Sequence, residues 1–435
     1  MGGTESKTTD SKYQLAFDEE EKGIVSGVFC SLSHGKKSFN KENLQHFTSP
    51  ILDPVTSGRL FDLLERPLPQ KNLQQKGHSS RPQNHEINLQ HFSSHLASLL
   101  KGGIPDLAHS CMLLASSSPG SVSAQDLITF VNSILHSYER LLTAHCSAYQ
   151  SWIFAPASDS HLRLAQSLLS PLLQPDKSPV ETSSKLTFTE DEVTDWLSQC
   201  SIFLQILTQV FHGAFQFYQT EPQQMTFHPR LPHVRDTNWS KFKTMLDFPT
   251  VLYLNFALLS ELQTEWKLLF SSSLHGCSFS QLLQLIKHKG PTYIIIRDKD
   301  GYVFGGFAAV SWDLNPKFVG NSSCFLFSVR PNYCSYKPTG YNPNFMYLNH
   351  QVQTLPNGLG MGGQFEFFGL WIDQSFDQGH SKASARGCTT YGSPRLSARE
   401  EFEVDCLEVW AVGRKKKAEG EEDDEEDDEA VDGSK

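Results

Sequence analysis

The sequence predicts an α+β protein: an all-α, EF-hand-like N-terminal half followed by an antiparallel β-sandwich flanked by helices. Three observations predict it. Apolar residues recur at helical spacing through residues 13–218. From about residue 229, β-branched and aromatic runs bounded by glycine-containing turns take over. The chain has 435 residues, 39% of them hydrophobic, which is enough for more than one core.

Residues 1–12 precede the periodic pattern and read as a flexible start. Met1-Gly2-Gly3-Thr4-Glu5-Ser6 fits the N-myristoylation pattern M-G-x-x-x-[ST]. Removal of Met1 exposes Gly2, whose missing side chain admits the acyl group, and Ser6 fits the small polar subsite. Gly2 is therefore the candidate lipid site. A single myristoyl chain binds membrane weakly and reversibly, so a second contact is needed. No polybasic patch supplies it, because Lys7 and Lys12 are offset by Glu5 and Asp10. The start has no apolar core of a secretory signal. Nine cysteines, an odd number without a CxxC pair, point to a reducing compartment.

In the helical half, apolar periodicity picks out 13–30, 55–65, 86–100, 105–115, 124–145 and 190–212. Thr189 and Glu192 form a capping box at the start of the last segment. Pro67-Leu68-Pro69, the polar run 70–85 and the Pro- and Ser-rich stretch 170–185 interrupt the pattern. Residues 201–217 are strongly apolar, yet Gln205, Gln209, His212 and Gln216 line one face. The segment therefore reads as an amphipathic packing helix, not a membrane span.

Two interhelical segments have the outline of a calcium loop. In residues 115–126, Gly120 and Val122 hold the sixth and eighth places and Asp126 closes the loop. Ala115, Ser117 and Pro119 stand where carboxylate or other oxygen ligands are needed. Residues 32–43 have Phe39 at the eighth place and no acid among the early ligand places. Both read as helix pairs that keep the fold without the ion. His91 and His95 are four apart, but no third ligand lies near them in sequence. A surface or capping pair is the simpler reading.

Residues 219–228 read as a linker. In the second half, 248–262 reads as a buried helix, 266–270 as a strand and 278–288 as a helix capped by Ser278. Residues 292–296 and 302–307 make a hairpin about Asp298-Lys299-Asp300-Gly301. Residues 324–329 and 407–412 are further strands. Strands joined by turns, without alternating helices, predict the antiparallel sandwich.

Four glycines in "GLGMGG" at 358–363 raise the question of a phosphate loop. Such a loop must open a helix. Phe365 to Trp371 follows instead, with the aromatic content of a strand, and no GK[ST] is present. The glycines predict a turn with positive φ and close backbone contact between sheets. There is no GxSxG. Cys388, His380 and His350 could meet in space, but no motif joins them, and Cys388 reads as a buried strand cysteine. Glu366 and Glu408 lie in apolar strands and are expected on a solvent or partly paired face.

Charge excludes one partner class. Eleven of the 48 acidic residues lie between 419 and 432, which leaves 37 acidic against 36 basic residues in 1–418. The near-neutral body carries no nucleic-acid footprint. Residues 414–435 form a basic-then-acidic tail, disordered by composition.

The motifs "WKLLFSSSLHGCSFSQLL", "DGYVFGGFA", "TGYN", "GLGMGGQFEFFGLWID" and "FEVDCLEVWAVG" occur in the order typical of TLDc domains. Residues 229–413 thus resemble a TLDc domain. With the myristoyl-type start and the helical first half, the chain is similar to the lysosomal, target-of-rapamycin-associated branch of that family. The resemblance implies a β-sandwich flanked by helices, no catalytic residues, no cofactor, no metal and no small-molecule substrate. It implies binding to the vacuolar-type proton ATPase and to the target-of-rapamycin kinase complex. The protein would sit on the cytosolic face of the lysosomal membrane, held by one acyl chain on Gly2 and a protein contact. A C-terminal extension is expected to help engage the pump in such proteins; here that end is the short acidic tail. The competing reading is an oxidation-resistance protein acting through a cysteine.

Overall fold

The computed structural model describes residues 17–66, 87–116, 120–173, 187–217, 226–384 and 386–413. In the first half the longer helices are α1 (Glu19–Ser33), α2 (Lys41–Thr48), α3 (Pro54–Leu64), α4 (Leu89–Lys101), α5 (Ile104–Ala115), α6 (Ala124–His145), α7 (Ser160–Leu168), α8 (Glu190–Gln199) and α9 (Ser201–Ala214). Most start at a polar cap that satisfies free backbone N–H groups: Asp18, Asn40, Asp53, Asn88, Ser123 and Thr189 all do so. The expected capping box at Thr189 and Glu192 is present.

Three helical expectations change. Residues 190–212 are not one helix, because Cys200 leaves helical geometry at φ −94°, ψ 66° and separates α8 from α9. Helices α2 and α7 add to the expected set. Each spans only two or three turns, too short for periodicity to stand out. Helix α9 does pack through its apolar face, and its glutamines and His212 are only half-buried. No helix among the described residues is long and apolar enough to cross a membrane.

The second half is built on one hydrogen-bonded sheet. After the short strands β1 (Val122–Ser123) and β2 (Thr187–Phe188) of the helical half, its strands are β3 (His233–Arg235), β4 (Glu265–Ser271), β5 (Thr292–Asp298), β6 (Val303–Ala308), β7 (Asn315–Val319), β8 (Phe325–Arg330) and β9 (Cys334–Tyr336). These are followed by β10 (Met346–Asn349), β11 (Gly358–Gln364), β12 (Phe367–Asp373), β13 (Gln378–His380) and β14 (Glu401–Val412). The order is β7-β10-β11-β12-β13-β14-β5-β6-β8-β9, with β4 also on β14 and β3 parallel to β4. All other pairs are antiparallel.

Strand β14 folds this sheet into two layers. Its first residues pair with β13, and its later ones lie between β5 and β4. Register shifts after Val404 and Val409 mark where it bends. A shared core then forms between the layers: Ile294, Ile296, Phe304 and Leu326 on one side meet Leu359, Met361, Leu370 and Ile372 on the other. Helices α10 (Phe248–Phe256) and α11 (Phe279–Ile286) flank the sandwich. The expected helix over 248–262 is shorter, ending at Phe256 before a 3-10 turn at Ser260–Leu262.

The two halves share a core that runs from Phe17 to Val412. Trp152, from the helical side, packs on Trp239, Trp266 and Trp410 at ring separations of 5.4–6.0 Å. Its Nε1 donates to the Pro232 carbonyl at 2.8 Å. The Tyr138 hydroxyl donates to the Pro229 carbonyl at 2.8 Å, and Ser160 hydrogen-bonds the buried cap Asp247 of α10.

Candidate functional site

The glycine run resolves into strand rather than turn. Gly358–Gln364 is β11 itself, and the reversal falls at Phe365 and Glu366, where Glu366 has φ +68°. No helix follows, so no dipole faces an anion. The glycines make room for rings. A Cβ on Gly360 would lie 2.5 Å from the Phe368 ring, and one on Gly358 would lie 2.5 Å from Trp371. Gly363, at φ +83°, would bring a Cβ within 2.0 Å of the Phe367 carbonyl.

The result is an aromatic layer on the outer face of the sandwich. Tyr347, Phe368 and Trp371 form its buried part, with Phe318 packed on them. Phe365 stacks on Phe318 at 5.4 Å, and Lys382 Nζ sits 5.7 Å from the Phe367 ring centroid. Phe367 remains 56% exposed. An open groove beside this layer is lined by Lys317, Phe318, Pro343, Asn344, Gln364 and Phe365. Exposed aromatic surface with a polar rim is the chemistry of protein contact.

The polar candidates do not assemble into a catalytic set. Cys388 is buried in the interlayer core, in a loop rather than a strand. His380 lies on the outer layer, stacked on Trp371 at 5.9 Å. His350 packs on Phe279 instead. Burial, helped by nearby Lys382, pushes the His380 imidazole down to about 4. Burial raises the Cys324, Cys334 and Cys388 thiols, and takes Cys406 up to about 11. Such thiols are poor nucleophiles.

Glu408 departs from expectation: it is fully buried, not on a solvent face. Its carboxylate accepts from Thr244 Oγ1 (2.7 Å), Met245 N (2.7 Å) and Trp410 Nε1 (2.9 Å). It pins the 244–245 loop onto β14. Glu366 is exposed at its turn.

In the helical half, β1 (Val122–Ser123) pairs with β2 (Thr187–Phe188). The loop before α6 is thus tied to the one before α8, not to residues 32–43, where Phe39 packs into the core instead. Asp126 accepts from the Ser123 hydroxyl at 2.8 Å as part of the α6 cap. His91 and His95 reach the carbonyls of Leu64 and Arg66, each at 2.8 Å, and so cap the end of α3. Gly2 lies outside the described residues. One cluster escaped the sequence reading: His136 and Glu139 on α6 meet His161 on α7.

Residues 239–413 match the TLDc domain family. Over 431 residues the chain is 36% identical to the MTOR-associated protein MEAK7 of Gallus gallus, covering 95% of this chain and 90% of that protein. The Homo sapiens MTOR-associated protein MEAK7 is 35% identical over 426 residues, with the same coverage. The chain belongs to the MEAK7 family of TLDc-domain proteins. It is also 32% identical to Oxidation resistance protein 1 of Xenopus laevis over 147 residues, 34% of this chain and 16% of that protein.

Proposed function

We propose that this chain is a non-enzymatic adaptor that supports target-of-rapamycin signalling at the lysosomal membrane and binds the vacuolar-type proton ATPase. The carrying observation is the likeness to MTOR-associated proteins along 95% of the chain. Exposed aromatics on the outer sheet face agree with a docking role. In this reading residues 1–12 are an acylated start, 13–218 an EF-hand-like domain, 219–228 a linker, 229–413 the TLDc domain and 414–435 a solvated tail. Gly2 carries the acyl chain on the cytosolic face of the membrane, and protein contact supplies the rest of the residence. Two measurements test this. Immobilised full-length chain should capture isolated pump, and Phe367→Asp should weaken capture. Gly2→Ala should shift the chain off purified lysosomes, and unchanged sedimentation would remove the acyl chain from the account. The oxidation-resistance reading rests on the shorter likeness. It requires peroxide consumption that depends on one cysteine, whereas the buried thiols of the sheet half are tuned away from reactivity.

A further inference from the structure

Helix α6 presents His136 and Glu139 three residues apart, on one face of the helix. Helix α7 packs against that face and brings in His161. The three ligand atoms lie within 4.8 Å of one another. His161 is only 3% exposed. Its Nε2 sits 3.0 Å from Glu139 Oε2, and its Nδ1 has no hydrogen-bond partner. Buried imidazole nitrogens without partners are costly and rare. The His136 ring stacks on His161 at 3.9 Å, with 21° between planes.

We propose that His136, Glu139 and His161 bind one divalent transition-metal ion of the zinc class, with water completing the coordination. Two imidazoles and one carboxylate suit zinc; calcium and magnesium demand more oxygen ligands than this site offers. Ligands held about 2.0 Å from a tetrahedral ion stand about 3.3 Å apart. Binding turns the partly exposed His136 ring out of its stack on His161, so that both imidazoles direct a nitrogen at one point. The outer contacts already fit. The Tyr149 hydroxyl donates to Glu139 Oε1 at 3.0 Å, leaving Oε2 aimed at His161.

The location gives the ion a structural role. His161 touches Phe248, the first residue of α10, with ring centroids 6.0 Å apart. Its neighbour Ser160 bonds the α10 cap Asp247. A bound ion would clamp α6 to α7 at the seam between helical half and sandwich.

The test uses the purified full-length chain, stripped with chelator. Zinc is titrated in competition with a chromogenic chelator, and cobalt(II) is used as the spectroscopic probe. One ion per chain is expected, with tetrahedral cobalt bands and no thiolate charge-transfer band. His136→Ala and Glu139→Gln should each weaken binding more than about tenfold, and Tyr149→Phe about tenfold. His91→Ala should change nothing. His136 is partly exposed, so its variant keeps the fold, and circular dichroism checks this. Undiminished affinity in folded His136→Ala overturns the proposal. So does a thiolate band, which would give the ion to the nine cysteines, or the absence of any stoichiometric binding.

Discussion

Two carboxyls, one in each half, show how differently the halves hold an acid among hydrogen-bond donors. Asp53 caps α3. It accepts from Val55 N at 2.8 Å, Thr56 N at 3.1 Å and Thr56 Oγ1 at 2.6 Å, and Ser133 adds a fourth donor. Glu408 takes three donors, two of them more than 160 residues away in sequence. Burial pushes both carboxyls up. At Asp53 the Ser133 and Thr56 donors outweigh it, and the acid is lowered. At Glu408 complete burial outweighs Met245, Thr244 and Trp410, and the acid is raised. Donor count is similar, so depth decides. Asp53 also keeps a helix N-terminus in front of it, which favours the anion. The helical half meets much of its polar demand with caps within three residues, to which longer-range donors such as Ser133 are added. The sheet half meets it by contacts across the chain, and is the more exposed to single changes.

The largest expected effect therefore falls in the sheet half. Gly363→Val combines a left-handed φ of +83° with a Cβ 2.0 Å from a backbone carbonyl. We expect a loss of about 4 kcal/mol or more, seen in denaturant titration as a collapsed midpoint. A mild loss would mean that the β11–β12 turn relaxes freely, and the comparison would fail at its strongest point.

Glu408→Ala comes next. It strands the Thr244, Met245 and Trp410 donors in a dry core, at a cost of about 3 kcal/mol. Asp53→Ala removes a cap with water nearby and should cost about 1–2 kcal/mol. Equal losses would show that depth does not separate the two sites. Their pH dependence sharpens the contrast. Asp53, lowered from its ordinary 3.8, contributes stability above that pH and loses it as pH falls through the folded value. Glu408, raised from 4.5, contributes fully below that pH and loses it as pH rises through the folded value. The melting-temperature gap between parent and Asp53→Asn should therefore close on acidification.

These particulars also show what was legible beforehand. Caps such as Thr189 with Glu192 are local, so the sequence displays them, and the β-branched run at 292–296, the run at 302–307 and the Asp298–Gly301 turn between them display their hairpin. The reversal at Phe365–Glu366 was hidden, because glycine signals a turn whether it reverses the chain or makes room for a ring on a neighbouring strand. Glu408 was misplaced for a related reason. Strand alternation assigns a face, but β14 is covered on both faces, and the covering loop lies at 244–245. His136 and Glu139 were visible as an i, i+3 pair; their third member lies 22 residues beyond Glu139, and only the packing of α7 on α6 supplies it.

The smallest effect has the opposite sign and lies in the helical half. Gly23 and Gly27 sit on the exposed side of α1, and a Cβ at either meets nothing within 4 Å. Their cost is conformational entropy alone, so each Gly→Ala change should stabilise by about 0.5–1 kcal/mol, read as a small rise in denaturation midpoint. The strand glycines Gly305, Gly358, Gly360 and Gly363 cannot be replaced this way, because other groups occupy the space a side chain would take. Should Gly23→Ala and Gly27→Ala leave stability improved but abolish capture of the pump or residence on lysosomes, the bare face of α1 would be a surface kept smooth for a partner. The local economy of the helical half would then end at its first helix.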